Sequence, residues 1–270
     1  MRITILSLLT LVSVSVFSQE ITFDSAAENL KANVKSIDYK SYKVRKDGSE
    51  HLKYFKRYQF DRRGHLVEKI NFGYDNQPDS RELYKYQNLH LTEVNVLKST
   101  GKKDKTTRYD YDNTGKLRRI TKTNYSGDVE YEILYEYDTR GRLIKKEKNI
   151  PSISYTLTES FVYNNDIPKP VIKHKKTRIG STKETYKYDE QNRLIEKSEY
   201  NAVGELYNTI KYSYNEKGDK ISLDKYDDKG NKTYWETYVY QYDDKGNWTQ
   251  KTTYKKGEKF SVEKREITYY

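Results

Sequence analysis

The sequence predicts an all-β fold, a long antiparallel up-and-down meander of about 16–18 strands forming an open, twisted or curled sheet. Three observations carry this. A Tyr-x-Tyr-Asp-x-x-Gly-x-Leu sentence recurs along the chain, its period is close to 26 residues, and a second turn signal falls near each midpoint. Tyr135 and Tyr137 are two apart and so share one face of a strand. Asp138 and Gly141 then supply the turn chemistry, and Leu143 restarts the alternation.

The copies are read in order from the full sequence. They run Tyr58-x-Phe60-Asp61-x-x-Gly64, Tyr109-x-Tyr111-Asp112-x-x-Gly115 and Tyr135-x-Tyr137-Asp138-x-x-Gly141. After them come Tyr186-x-Tyr188-Asp189-x-x-Asn192, Tyr212-x-Tyr214-Asn215-x-x-Gly218 and Tyr240-x-Tyr242-Asp243-x-x-Gly246. Gly115 and Gly141 are 26 positions apart, as are Asn192 and Gly218. Degraded copies at Tyr84-x-Tyr86 and Phe161-x-Tyr163 fill the two gaps. Asparagine at 192 is the next residue after glycine that tolerates a left-handed backbone. Midpoint signals at Gly48, Asn76, Gly101, Gly127, Gly180, Gly204, Gly230 and Gly257 leave strands of roughly 9–10 residues. Asp-x-x-Gly between alternating stretches is a hairpin of the longer-loop kind.

These copies resemble the YD repeats of the Rhs family, and especially short exported Bacteroidetes members that close on Gly-Asn-Trp-Thr, here Gly246-Asn247-Trp248-Thr249. The resemblance covers about residues 34 to 270 and implies a β-repeat architecture. Large relatives wrap a toxin and carry an effector after the repeats. This chain stops at the repeats.

The N-terminus reads as a secretory signal, residues 1–18. Arg2 is followed by the apolar run 3–17 and small residues before Gln19. Residues 19–33 form a leading segment in which 25–30 read as a short helix capped by Asp24 or Ser25. Residues 34–270 are one repeat domain. No transmembrane segment remains after signal cleavage, and an exported chain without cysteine fits a Gram-negative periplasm, outer surface or secreted product.

Leu, Ile, Val and Phe are sparse, and 34% of residues are charged. The 29 tyrosines take their place, burying large rings while keeping a hydroxyl in water. The first tyrosine of each copy forms one column, the second forms the next, and Leu66, Leu117, Leu143, Leu194 and Trp248 open the following strands beside them.

Chemistry is dispersed. His51, His65, His90 and His174 sit in unrelated phases without cysteine, which gives no metal centre and no cofactor. The Asp-Asp-Lys-Gly-Asn stretches at 227 and 243 place lysine where a calcium loop needs an oxygen, so their aspartates read as turn formers. No nucleophile elbow, P-loop or carboxylate dyad stands out, and the chain reads as a non-enzyme. The net charge of +11 points to anionic envelope polymers before nucleic acid, or to a lysine-protected solvated sheet.

The main functional reading is an exported envelope or surface repeat protein with a binding or scaffold role, contacting glycans through Trp235, Trp248, Tyr240 and Tyr242. Its bland counterpart makes these rings a hydrophobic cap on the last strands. One alternative, implied by the Rhs resemblance, is a toxin chaperone or immunity-like partner module. The other is an outer-membrane-type β-barrel. Arg193 to Glu199 weighs against it by placing charge on both faces of one strand, at about 2–4 kcal/mol for each mid-membrane Lys or Arg, which leaves a closed, charged soluble barrel beside the curled open sheet.

Overall fold

The computed structural model describes residues 30–164 and 167–270. The expected signal sequence and most of the leading segment, with its short helix, lie outside the described residues. The strands run β1 Val34–Val44, β2 Glu50–Phe60, β3 Leu66–Phe72, β4 Pro78–Gln87, β5 His90–Lys98 and β6 Lys103–Tyr111. They continue through β7 Leu117–Asn124, β8 Val129–Tyr137, β9 Leu143–Ile150, β10 Tyr155–Val162, β11 Ile172–Thr177 and β12 Gly180–Tyr188. The last six are β13 Leu194–Tyr200, β14 Leu206–Tyr214, β15 Lys220–Tyr226, β16 Lys232–Tyr242, β17 Trp248–Lys255 and β18 Glu258–Tyr269.

Every strand pairs antiparallel with its neighbour in sequence, as the meander requires. The sheet is nevertheless closed, which corrects the expected open or curled sheet. β18 runs antiparallel to β1 from Val34↔Tyr269 to Lys43↔Ser261, and β1 pairs β2 on its other side. Closure leaves no strand edge, and an exposed row of unpaired donors and acceptors is what a long open meander would have to protect. Turn chemistry and ring spacing are identical in open and closed sheets, so the repeat alone does not distinguish them.

The turns form as their residues dictate. At 138–142 the Asp138 N–H donates to the Arg142 carbonyl and the Gly141 N–H to the Asp138 carbonyl, both at 2.9 Å. Gly141 sits at φ +82°, the left-handed position of this bulged hairpin loop. Asn192 takes the same place at φ 60°. Asp138 Oδ1 accepts the N–H groups of Arg140 and Arg142, each at 2.9 Å. Asp61, Asp112, Asp227 and Asp243 accept likewise from the residues two and four further on.

These bonds tune the turn carboxyls. The Arg142 backbone N–H, followed by its guanidinium, holds Asp138 below its ordinary 3.8 against some desolvation. The Thr114 hydroxyl and the Lys116 N–H lower Asp112, and the Asn231 side chain and N–H lower Asp227. A carboxyl lowered in the fold contributes stability that is present above its unfolded value. That stability is lost as pH falls from about 4 through the folded values. The urea midpoint should therefore drop between pH 6 and pH 2.5, and an unchanged midpoint would remove the turn carboxylates from the stability of the barrel.

The tyrosine columns face the concave side. Tyr58 is fully buried, and Tyr39, Tyr135, Leu66, Leu117 and Trp248 are nearly so. One core cluster joins Val34, Ile37, Tyr39, Tyr58, Phe60, Leu66 and Trp248 across the seam, and a second joins Leu117, Ile120 and Tyr135. The expected water-facing hydroxyls are a second correction. The Tyr137 hydroxyl donates to the Leu117 carbonyl at 2.8 Å, and Tyr86, Tyr111, Tyr163 and Tyr214 reach Leu66, Leu91, Leu143 and Leu194 in the same way. Each bond spans two neighbouring strands at the rim where no turn joins them. Ring burial and hydroxyl bonding thus act together, and a carbonyl at the strand start is satisfied by the next repeat.

Candidate functional site

Closure gives the sheet an inside. Following the register from Tyr58, the inward row passes through Lys69 and Glu82 on β3 and β4, and later through Tyr135 and Lys146 on β8 and β9. It continues to Tyr240, Lys251 and Glu263 on β16 to β18, and through Ser41 to Tyr54 on β1 and β2. Connections are short at both rims, from residues 178–179 to residues 163–171. At 18 strands a barrel belongs to the size class that leaves an aqueous channel rather than a side-chain-filled core.

An inward cavity of about 690 Å³ lies against β14 to β18, β1 and β2. Tyr54, Tyr214, Tyr238, Tyr240 and Phe260 present rings to it, and Glu236, Glu263, Lys220, Lys251 and Lys255 present charge. Its volume is in the range of small-molecule sites. Glu236 accepts the hydroxyls of Tyr234 and Tyr238 and pairs with Lys255 at 3.3 Å. Lys251 pairs with Glu263 at 2.8 Å, and Lys255 lies 3.8 Å above the Phe260 ring.

The four residues expected to contact a ligand are divided by the wall. Trp235 lies opposite Asp224 on the outward face, with the Lys232 ammonium 5.4 Å from its ring. Trp248 is 7% exposed and faces inward. The Arg265 guanidinium stands 3.4 Å from its centroid, and Tyr39 and Tyr240 pack against it edge-on. Tyr240 and Tyr242 stack at 6.0 Å. Their hydroxyls go to the Lys220 carbonyl and to Asp219. Trp248 and Tyr240 border the cavity while Trp235 cannot reach it. Sequence reasoning missed Tyr54, Tyr238 and Glu236, whose signal was their place in the inward alternation, and Phe260, which stands at the bulge between Lys259 and Ser261.

The histidines act locally. His65 bonds Asp61 at 3.0 Å and stacks on Tyr86, His90 packs on Tyr111, and His51 meets Arg45. His174 lies opposite Ser160 on the outward face. Among the described residues no group of three His, Cys, Asp or Glu side chains is placed to hold a metal.

The outward face carries ion pairs between neighbouring strands. Arg57 donates to Asp38 at 2.6 and 2.7 Å, Arg119 meets Glu132 at 3.2 Å, Lys145 meets Glu136 at 2.9 Å and Lys187 meets Glu196 at 2.7 Å. Phe55 and Phe72 stack beside them at 4.2 Å, with Arg57 over the Phe72 ring.

No family model matches the chain, and no curated protein matches it. Among solved structures it is similar to a porin-like protein from Bacteroides uniformis, with TM-score 0.48 and 11% identity over 88% of this chain and 98% of that one. A porin-like protein from Bacteroides vulgatus matches at TM-score 0.40 and 12% identity, over 89% and 99% of the two chains. The TcdB2–TccC3–Cdc42 structure matches at TM-score 0.24 and 12% identity, over 83% of this chain and 19% of that one. At these scores the likenesses carry no argument. The YD-repeat resemblance rests on its residues alone, and the barrel on its own strand pairing. Among the readings of the sequence, a closed 18-strand up-and-down barrel supports the outer-membrane-type alternative better than the open glycan-binding scaffold.

Proposed function

We propose that the chain is an exported, non-catalytic β-barrel of outer-membrane type in the cell envelope, with the lumen as its working surface. The observation that carries this is closure: 18 antiparallel strands, an even number in up-and-down order, return to β1 without an edge. The apolar N-terminal run, read as a signal, supports export. Closure also moves the aromatic rows from an exposed face to the lumen wall, where a ligand would be enclosed rather than laid on a sheet.

One observation favours a second location for the same barrel. Membrane-spanning strands turn an apolar row to lipid, whereas Arg57–Asp38, Arg119–Glu132 and Lys145–Glu136 stand on the outward face. These pairs favour a barrel standing in water within the envelope. Fractionation separates the two. Recovery in carbonate-washed outer membranes, with a heat-modifiable gel mobility and stepwise conductance in planar bilayers, supports the spanning barrel. Recovery in the soluble periplasmic fraction with no conductance supports the aqueous one. Retention in the cytoplasm would overturn both.

A further inference from the structure

The two faces of the wall carry charge differently. Outside, many charges stand in acid–base pairs across neighbouring strands, such as Arg57–Asp38 and Lys187–Glu196. Inside, lysine exceeds glutamate over most of the wall, β13 and β14 excepted, where Lys197 faces Glu199. On β9 to β12 the inward register holds Lys146, Lys148, Lys173 and Lys175 against Glu159 and Glu184. On β15 to β18 it holds Lys220, Lys225, Lys251, Lys255 and Arg265 against Glu236, Glu258 and Glu263. On β6 and β7 Lys105 and Lys122 share the single carboxylate of Glu130.

Many of these ammonium groups lie on aromatic faces. Lys148 and Lys122 stand 4.5 and 5.6 Å from the Tyr131 centroid, and Lys251 and Lys220 stand 5.3 and 5.5 Å from that of Tyr238. A ring attracts a cation without neutralising it. The ring contacts leave these charges in place, and where lysines outnumber carboxylates the excess positive charge faces the lumen, where an enclosing low-dielectric wall focuses its field.

We infer that the lumen binds an acidic oligosaccharide: its carboxylate or phosphate groups meet the lysines, and its sugar rings lie against the tyrosines. The inference rests on the lumen being the working surface. It holds whether the barrel spans a membrane or stands in water.

The test is calorimetry on the purified full-length barrel with a galacturonic-acid hexamer, a neutral glucose hexamer and inorganic polyphosphate, each at low and high salt. The variants are Lys148→Glu and Lys145→Glu, which make the same charge change on the inward and outward faces of β9. Lys122→Glu, beside the same Tyr131 ring, replaces Lys148→Glu if circular dichroism shows that variant unfolded. The acidic hexamer should bind with an affinity that falls at high salt. The neutral hexamer should bind about tenfold more weakly or worse, as expected where charge complementarity sets specificity. The inward variant should lose about tenfold, while Lys145→Glu stays within about twofold, as rim and outer charges do. Failure of the acidic hexamer to bind overturns the proposal, as do equal binding of the neutral hexamer and equal losses in the two variants. Polyphosphate binding as tightly as the acidic hexamer overturns the saccharide assignment. Because binding is measured on isolated protein, its result is separate from that of the fractionation.

Discussion

Replacing Tyr58 by alanine should destabilise the barrel by about 3–5 kcal/mol, the range for deleting a buried aromatic ring whose surroundings relax only partly. Tyr58 is fully buried between Tyr39, Phe60 and Leu66 in the cluster that spans the seam, so neighbours on several strands lose contact at once. Tyr137→Phe is the complementary case. It keeps the ring and removes only the hydroxyl bonded to the Leu117 carbonyl, so it should cost about 1 kcal/mol. Urea midpoints for the two variants check the ordering. A Tyr58→Ala loss no larger than that of Tyr137→Phe would mean that the rings are not the core.

The second large effect is expected at the seam. Val262 is 1% exposed, and β18 pairs with both β17 and β1 around it. Proline there removes a donor from an internal strand, where proline is confined to edges and bulges. The lost ladder bond and valine packing should cost roughly 2–4 kcal/mol. The consequence is larger than the figure suggests, because opening this joint creates two free edges in place of none. Val262→Pro should lower the urea midpoint and aggregate on refolding at concentrations where the parent stays monodisperse. Parent-like behaviour would show that β18 contributes nothing to closure.

Much of the fold was legible because its determinants are local. Asp138 and Gly141 need only their own loop to declare a hairpin, and Tyr135 and Tyr137 declare their face by being two apart. Asn192 could be placed in the left-handed region from its position in the repeat. What the repeat could not declare was long-range. Closure depends on β1 meeting β18, between Ile37 and Ile267 for example, and no local spacing encodes that pairing. The destination of the hydroxyls was hidden for the same reason, since Tyr137 reaches a carbonyl 20 residues earlier on the neighbouring strand. The site suffered most. Trp235 and Trp248 looked alike as aromatic residues near the end of the chain. The parity of their places in the register sends one outward and the other inward. Tyr54, Glu236 and Phe260 belong to the cavity only once the sheet has closed.

Closure can be tested by one crosslink. Lys40 and Lys264 face each other across β1 and β18. Opposed antiparallel residues lie about 4.5–5.5 Å apart at Cα, within the reach of a disulfide. The parent chain has no cysteine, so Lys40→Cys combined with Lys264→Cys starts from a clean background. In a joined seam, mild oxidation of the native monomer gives one intramolecular bond that denaturing electrophoresis and peptide mapping assign to residues 40 and 264. An open sheet would instead leave both thiols free to labelling, or join them only between molecules.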